Sequence, residues 1–301
     1  MKNLIFLLLT ISITFFACSQ NSEKKGTPTT SDTIKSVVQD TIIEVSKEPE
    51  FLLDTIGTTT IKTRILVPKG YKRINVDSNS FAHYLRNLPL KPHGAIVLSY
   101  NGYEKLNDNI YIAVVNMRIG DKNLHQCADA VMHLRADYLF KQKQYNKIHF
   151  NFTNGQRIDY SKWMEGNRIR LNGNKSYWVK VANPSNTSED LWKYLTLVFN
   201  YAGSYSLSKE LVHVEINDMQ IGDVFIQQGS PYGHAVIVVD MAENPNTGEK
   251  IFMVAQSFMP AQSIHILKNT NKNDSPWYPL NFGEKLRLPS WTFNKNDLRR
   301  F

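Results

Sequence analysis

The chain has almost no cysteine: Cys18 and Cys127 are the only two among 301 residues. No CxxC redox or zinc pattern can be written, and there is no H-E-x-x-H and no glycine-rich phosphate loop. No run of Lys and Arg is interleaved with aromatic residues. These absences argue against a metal site, a nucleotide-phosphate site and a nucleic-acid face. No cofactor is expected. There is also no internal repeat and no long apolar run after the first twenty residues. The formal charge of +8 permits attraction to anionic surfaces and identifies none.

What is present begins at the N-terminus with "MKNLIFLLLTISITFFACSQ". Lys2 is a short positive region, Leu4 to Phe16 are apolar, and Ala17 supplies the small residue that ends such a segment. A signal peptide over 1–17 is expected, too short to span a bilayer as a helix. Ala17-Cys18 resembles the lipobox of bacterial lipoproteins. The resemblance implies cleavage before Cys18, acylation of its sulfur, and anchoring to a membrane of the bacterial cell envelope. Residues 18–55 are rich in Ser, Thr, Lys, Asp and Glu, and read as a flexible linker. Residues 56–301 then form a single α+β domain.

With the Cys18 sulfur lipidated, Cys127 has no cysteine left to pair with, and a lone thiol in an exported protein calls for a reason. The plainest is burial as a small hydrophobe. The sharper one comes from position. Asn123 is a candidate N-cap, Gln126 completes a box-like cap, and apolar residues recur from Ala128 to Leu139 close to a 3.6 period. Cys127 then sits in the first helical turn, where free N–H groups and the positive helix end favour a thiolate.

The other elements arrange themselves around that helix. "TTIKTRILV" (59–67) reads as a strand and "FAHYLRNLPL" (81–90) as a short helix stopped at Pro89. "GAIVLSY" and "IYIAVVNM" read as a hairpin, and "KIHFNF" as a strand. Thr187 or Ser188 caps a helix running to Gly203. From Val212 onward strands follow: "VHVEI", "DVFIQQ", "HAVIVVDM", "IFMVAQSF" and "QSIHIL". Helices first and a strand-rich second half give an α+β domain with a mostly antiparallel sheet.

Two of those strands carry the remaining polar candidates. "ENPNTGE" is a turn cluster, so "HAVIVVDM" and "IFMVAQSF" form a hairpin. A turn centred near Pro245 places His234 opposite Gln256, the one strongly polar residue of its run. Opposed residues of an antiparallel pair share a face, so the Gln256 amide oxygen can accept from the imidazole. A slip of one residue would separate the two side chains. An imidazole oriented by a third group is what a cysteine nucleophile needs.

A helix-borne Cys, "GDVF", a His-led apolar strand and a polar residue on the next strand resemble the NlpC-type papain-like cysteine amidases. The resemblance covers about 120–267. It implies a papain-like domain with the Cys helix packed on the sheet, and hydrolysis of amide bonds such as those of cell-wall peptides. By position it implies Cys127 as nucleophile, His234 as base and Gln256 as orienter. The chain departs from those amidases in having Gln126-Cys127-Ala128 around the nucleophile and a long insertion before Gly222. "QCADAVM", "LRA", "GHAVIVVD" and "MPAQ" also resemble an uncharacterised family of bacterial lipoproteins with no established activity. The partners implied are a membrane, through Cys18, and a peptide or glycopeptide substrate. The alternative is a binding or scaffold lipoprotein of the same fold.

Other polar residues carry blander expectations. The oxyanion hole calls for the Cys127 N–H and a second donor, for which Gln126 is the candidate, although it also suits the cap. Asp240 is expected as a turn residue at the end of its strand, and His265 as a solvent-facing residue of a half-buried strand. His125 and His133 bracket Cys127 at offsets that give no i, i+4 ligand pair. "NGQRIDYSKWMEGNRIRLNG" (154–173) is expected as a surface hairpin.

Overall fold

Three runs in the second half of the chain build the centre of the molecule. The computed structural model describes residues 53–57, 59–106, 109–229, 232–270 and 275–301. The expected signal peptide, the Cys18 lipidation site and nearly all of the 18–55 linker lie outside these residues. We label the strands that form the path of the main sheet β1 (Tyr111–Val114), β2 (Val212–His213), β3 (Val224–Gln227), β4 (His234–Glu243), β5 (Lys250–Gln256), β6 (His265–Leu267) and β7 (Leu298–Arg300). Their order is β1-β6-β5-β4-β3-β7-β2, and every pairing is antiparallel. Two short strands, Lys72–Arg73 and Tyr278–Pro279, extend the sheet beside β4 and β5.

β4 is buried from His234 to Ala242 without alternation. A continuous apolar run of this kind belongs to a strand covered on both faces. The helices α2 (Phe81–Arg86) and α3 (Cys127–Lys141) pack against it. Phe225 of β3 stacks with Phe252 of β5 and packs at a tilt against Phe293, at centroid distances of 6.1 and 5.8 Å. α3 is buried on nearly all sides, with only Arg135, Asp137, Phe140 and Lys141 reaching partial or full exposure. Its 3.6 periodicity is therefore weak because it is a central helix rather than a surface one. α5 (Ser188–Tyr201) is capped as its sequence predicts, with Thr187 Oγ1 accepting from the Asp190 N–H at 3.2 Å.

The β4–β5 hairpin differs in register from the expectation, and the difference matters. Near the turn Lys250 pairs with Glu243 and Met253 with Asp240; beyond it Val254 pairs with Val238. Val239 is thus an extra residue, a β-bulge. Without it the register at the turn would set Gln256 opposite Ile237, on the face away from His234. The bulge moves the pairing by one, and Gln256 falls on the His234 face, diagonal to it rather than directly opposite.

Four further expectations are corrected. Residues 59–67 begin as a helix, α1 (Ile61–Arg64), because Thr60 and Thr63 exchange cap hydrogen bonds and both Ile61 and Ile65, four apart, are fully buried. "GAIVLSY" makes only isolated bridges, and β1 pairs with β6 instead. The 154–173 segment contains the helix α4 (Tyr160–Met164), with Tyr160 and Trp163 buried; the surface hairpin follows it, at Asn167–Asn172 and Lys175–Lys180. Asp240 is no turn residue: it is fully buried within β4 and holds Arg73 and Arg86, each at 2.6 Å. The whole is a mixed α and β domain around an antiparallel sheet, as the order of elements predicts.

Candidate active site

Cys127 is the first helical residue of α3, and Gln126, not Asn123, is the N-cap. The Asp129 carboxylate accepts from the Gln126 N–H at 3.0 Å and closes the first turn. Asn123 is used elsewhere, its side-chain oxygen accepting from the Ala261 N–H at 2.8 Å. Ser257, just past β5, donates to the His125 carbonyl at 2.9 Å. The loop before α3 is therefore pinned to the chain that leaves β5, and Cys127 is fixed with it.

The sulfur of Cys127 is met by the backbone N–H of Ala235, the residue after His234. Cys127 itself is 5% exposed. Burial pushes its thiol up to about 11, with the neighbouring Asp129 carboxyl as the second cause. The N–H groups of Ala235, Ala128 and Cys127 pull the other way and lose. The sequence leads one to expect a thiolate stabilised by the helix end; in this structure desolvation outweighs that field, and the resting group is a thiol.

His234 opens β4 and is fully buried. Gly233 before it has no room for a side chain: a Cβ there would stand 2.2 Å from the Gln227 carbonyl oxygen. The His234 Nε2 lies 2.8 Å from Gln256 Oε1. Gln256 Nε2 lies 3.3 Å from His265 Nε2, and His265 Nδ1 lies 2.9 Å from the Ser263 carbonyl oxygen. The His234 Nδ1 is buried with no hydrogen-bond partner. Burial pushes His234 down to about 4 and His265 to about 3. For His234 the Gln256 bond raises the value and the charge of Lys105 lowers it. Both imidazoles are neutral at physiological pH.

Phe258, Trp291 and Phe293 surround the His234 ring, at centroid distances of 4.9, 5.1 and 5.9 Å. Trp291 is held by its indole N–H, which donates to Gln227 Oε1 at 2.9 Å, and Gln227 is the β3 partner of His234. The Lys105 ammonium sits over Phe258, 5.3 Å from its centroid. Because burial is the leading cause of the His234 depression, Trp291→Ala is expected to raise its value by about 1 unit, back toward the ordinary range. An NMR titration of the His234 ring reads this directly. A value that stays near 4 would place the cause elsewhere.

The structure thus brings Cys127 to the backbone beside His234, and joins His234 to Gln256 by a hydrogen bond. Gln126 is less free: its side-chain amide donates to the Asn123 carbonyl and side-chain oxygens, at 3.4 and 3.2 Å. His125 and His133, which no helical spacing connects, form a buried pair with 3.0 Å between Nε2 and Nδ1, packed on Trp192 and Phe199. Among the described residues no group of three or more His, Cys, Asp or Glu is placed to hold a metal ion. Asp129 and His265 escape the sequence reading. The expectation of a solvent-facing His265 is corrected: the residue is fully buried. The signal for it was the adjacent apolar pair Ile266-Leu267, which breaks the alternation around His265 and marks a strand covered on both faces.

No curated protein and no solved structure matches the chain. A family model does match, described as "Domain of unknown function (4846)", over residues 61–300, which includes every residue of the site above. The chain belongs to that domain family.

Proposed function

We propose that this protein is an exported, lipid-anchored cysteine hydrolase of amide bonds, acting on peptides or glycopeptides such as those of the cell wall. Cys127 is the nucleophile, His234 the base and Gln256 the orienter, in a papain-like arrangement of helix and sheet. Cys18 carries the lipid, and the enzyme works in the bacterial cell envelope. The observation that carries the reading is the His234 Nδ1. It is a buried lone pair without a partner, on the residue whose next N–H meets the Cys127 sulfur. A buried polar atom left unsatisfied costs free energy, and a catalytic role is one reason for such an atom to be kept.

The steps follow from the protonation states. As the sulfur attacks the scissile carbonyl carbon, Nδ1 takes the thiol proton, and the carbonyl becomes an oxyanion held by the Cys127 N–H and a second donor, Gln126 once it leaves Asn123. The imidazolium returns the proton to the leaving amine, and the C–N bond breaks. Water, deprotonated by the same Nδ1, then splits the thioester and restores the thiol.

A second reading is a binding or scaffold lipoprotein of the same fold, and one observation favours it: a thiol that is 5% exposed and pushed up to about 11. The test is hydrolysis of a panel of cell-wall peptides by the full-length protein. Cys127→Ala and His234→Ala are each expected to reduce turnover by about a thousandfold or more, with folding intact. Binding of peptides without turnover, unchanged in Cys127→Ser, would establish the scaffold instead.

A further inference from the structure

The hydrogen-bonded chain that ends on His234 has a direction, and that direction is set at its far end. The Ser263 carbonyl can only accept, so His265 Nδ1 carries the proton of the 2.9 Å bond between them. A neutral imidazole has one N–H, which leaves His265 Nε2 as an acceptor. The group of Gln256 that faces it at 3.3 Å must then be the NH2, and the amide oxygen is turned to His234 at 2.8 Å. An oxygen at that position requires a proton on His234 Nε2. His234 Nδ1 is thereby left bare. Each assignment forces the next, and the only fixed element is a backbone carbonyl.

We infer that His265 is a positioning residue that sets the tautomer of His234, through the amide orientation of Gln256, and so keeps the base lone pair on Nδ1. The inference rests on the reading of His234 as the base. An amide alone cannot do this. Gln256 is a donor at one end and an acceptor at the other, and rotated by half a turn it would present its NH2 to His234 Nε2. The imidazole would then carry its proton on Nδ1, where a base cannot use it. His265 removes that choice because its Nε2 can receive a hydrogen bond and cannot give one. Its own geometry is secured by burial, by the edge contact of Tyr111 at 5.4 Å and by opposition to Gln256 in the β5–β6 register. A histidine here is a better anchor than a residue with a free rotor, since reversal would require either loss of its Nδ1 bond to the Ser263 carbonyl or its protonation. Its value of about 3 puts that outside the ordinary range.

The experiment is nitrogen-15 NMR of the imidazole rings in the full-length protein, which separates protonated from bare ring nitrogens and so reads tautomers without any substrate. In the unmodified protein His234 is expected almost wholly as the Nε2–H form. In His265→Leu, similar in volume and lacking an acceptor, a substantial share of His234 is expected to carry its proton on Nδ1. A His234 spectrum unchanged by His265→Leu overturns the inference, and so does an unmodified protein with its proton on Nδ1. If His265→Leu does not fold, His265 itself decides: a proton on its Nε2 instead of Nδ1 reverses the chain and overturns the proposal. The two readings fail separately. Peptide hydrolysis that ignores His234→Ala would remove the base while leaving the tautomers as described, whereas a tautomer that ignores His265 would remove only the positioning role.

Discussion

At pH 7.5, Cys127 of the folded full-length protein is expected to react with iodoacetamide on the order of 100-fold more slowly than an unperturbed cysteine. Its rate should rise about tenfold per pH unit until the thiol titrates, near pH 11. The sign follows from which form carries charge. The thiolate is the nucleophile, and both burial and the neighbouring Asp129 carboxyl disfavour a negative sulfur, so less of it is present at any pH below the midpoint. His234 points the same way: pushed down to about 4, it is a neutral imidazole and supplies no cation to hold a thiolate in the resting protein. The site is therefore poised as thiol plus free base, and proton transfer must accompany attack on a bound carbonyl. The check is an alkylation profile from pH 6 to 11, with and without His234→Ala. A midpoint below the usual 8.5 that disappears in the variant would show a preformed thiolate–imidazolium pair and sink this account.

That contrast also locates what a sequence can say about such a site. Cys127, His234 and Gln256 were legible because each breaks a local pattern: a thiol at a helix start, a histidine at the head of an apolar strand, an amide inside one. The hairpin was legible from its turn cluster. Its register was not, because the expected turn centre lay too early and the bulge at Val239 has no signature in "HAVIVVDM". The two shifts offset one another in parity, so His234 and Gln256 meet for a reason other than the one the pattern suggests. Burial was least legible. Helix position alone argues for a thiolate at Cys127, and only its burial and the neighbouring Asp129 carboxyl reverse that. Thr60 and Ile61 illustrate the same limit at the level of elements: an alternating run became a helix once Thr60 and Thr63 capped it and Ile61 and Ile65 were both drawn into the core.

Asp240→Ala should cost about 3–5 kcal/mol of stability, the largest loss expected from a single substitution in this chain outside the apolar core. Its carboxylate is fully buried and divides its oxygens between two guanidinium groups: Oδ1 to Arg86 Nε and Oδ2 to Arg73 Nε, both at 2.6 Å. Oδ1 also accepts from the Met241 N–H at 2.9 Å. Arg86 also donates to the Ile74 and Met241 carbonyls, at 2.9 and 3.3 Å, which hold its guanidinium in place beside Asp240. Removing the carboxylate leaves two cations inside the protein with their solvation lost and nothing in its place. Glu189→Ala provides the comparison. It breaks the Arg118–Glu189 pair, in which both side chains are more than half exposed, and should cost less than about 1 kcal/mol. Urea unfolding of the two variants beside the unmodified protein measures both, and a loss at Asp240 no greater than that at Glu189 would refute the argument. The consequence reaches the candidate active site through the chain itself. Asp240 is the residue after the bulge at Val239, and its pairing with Met253 fixes where the bulge falls. A strand released at Asp240 is free to pair without the bulge, and a shift of one residue turns Gln256 away from His234. The variant should therefore lose the protonated Nε2 signal of His234 at urea concentrations where the sheet is still formed.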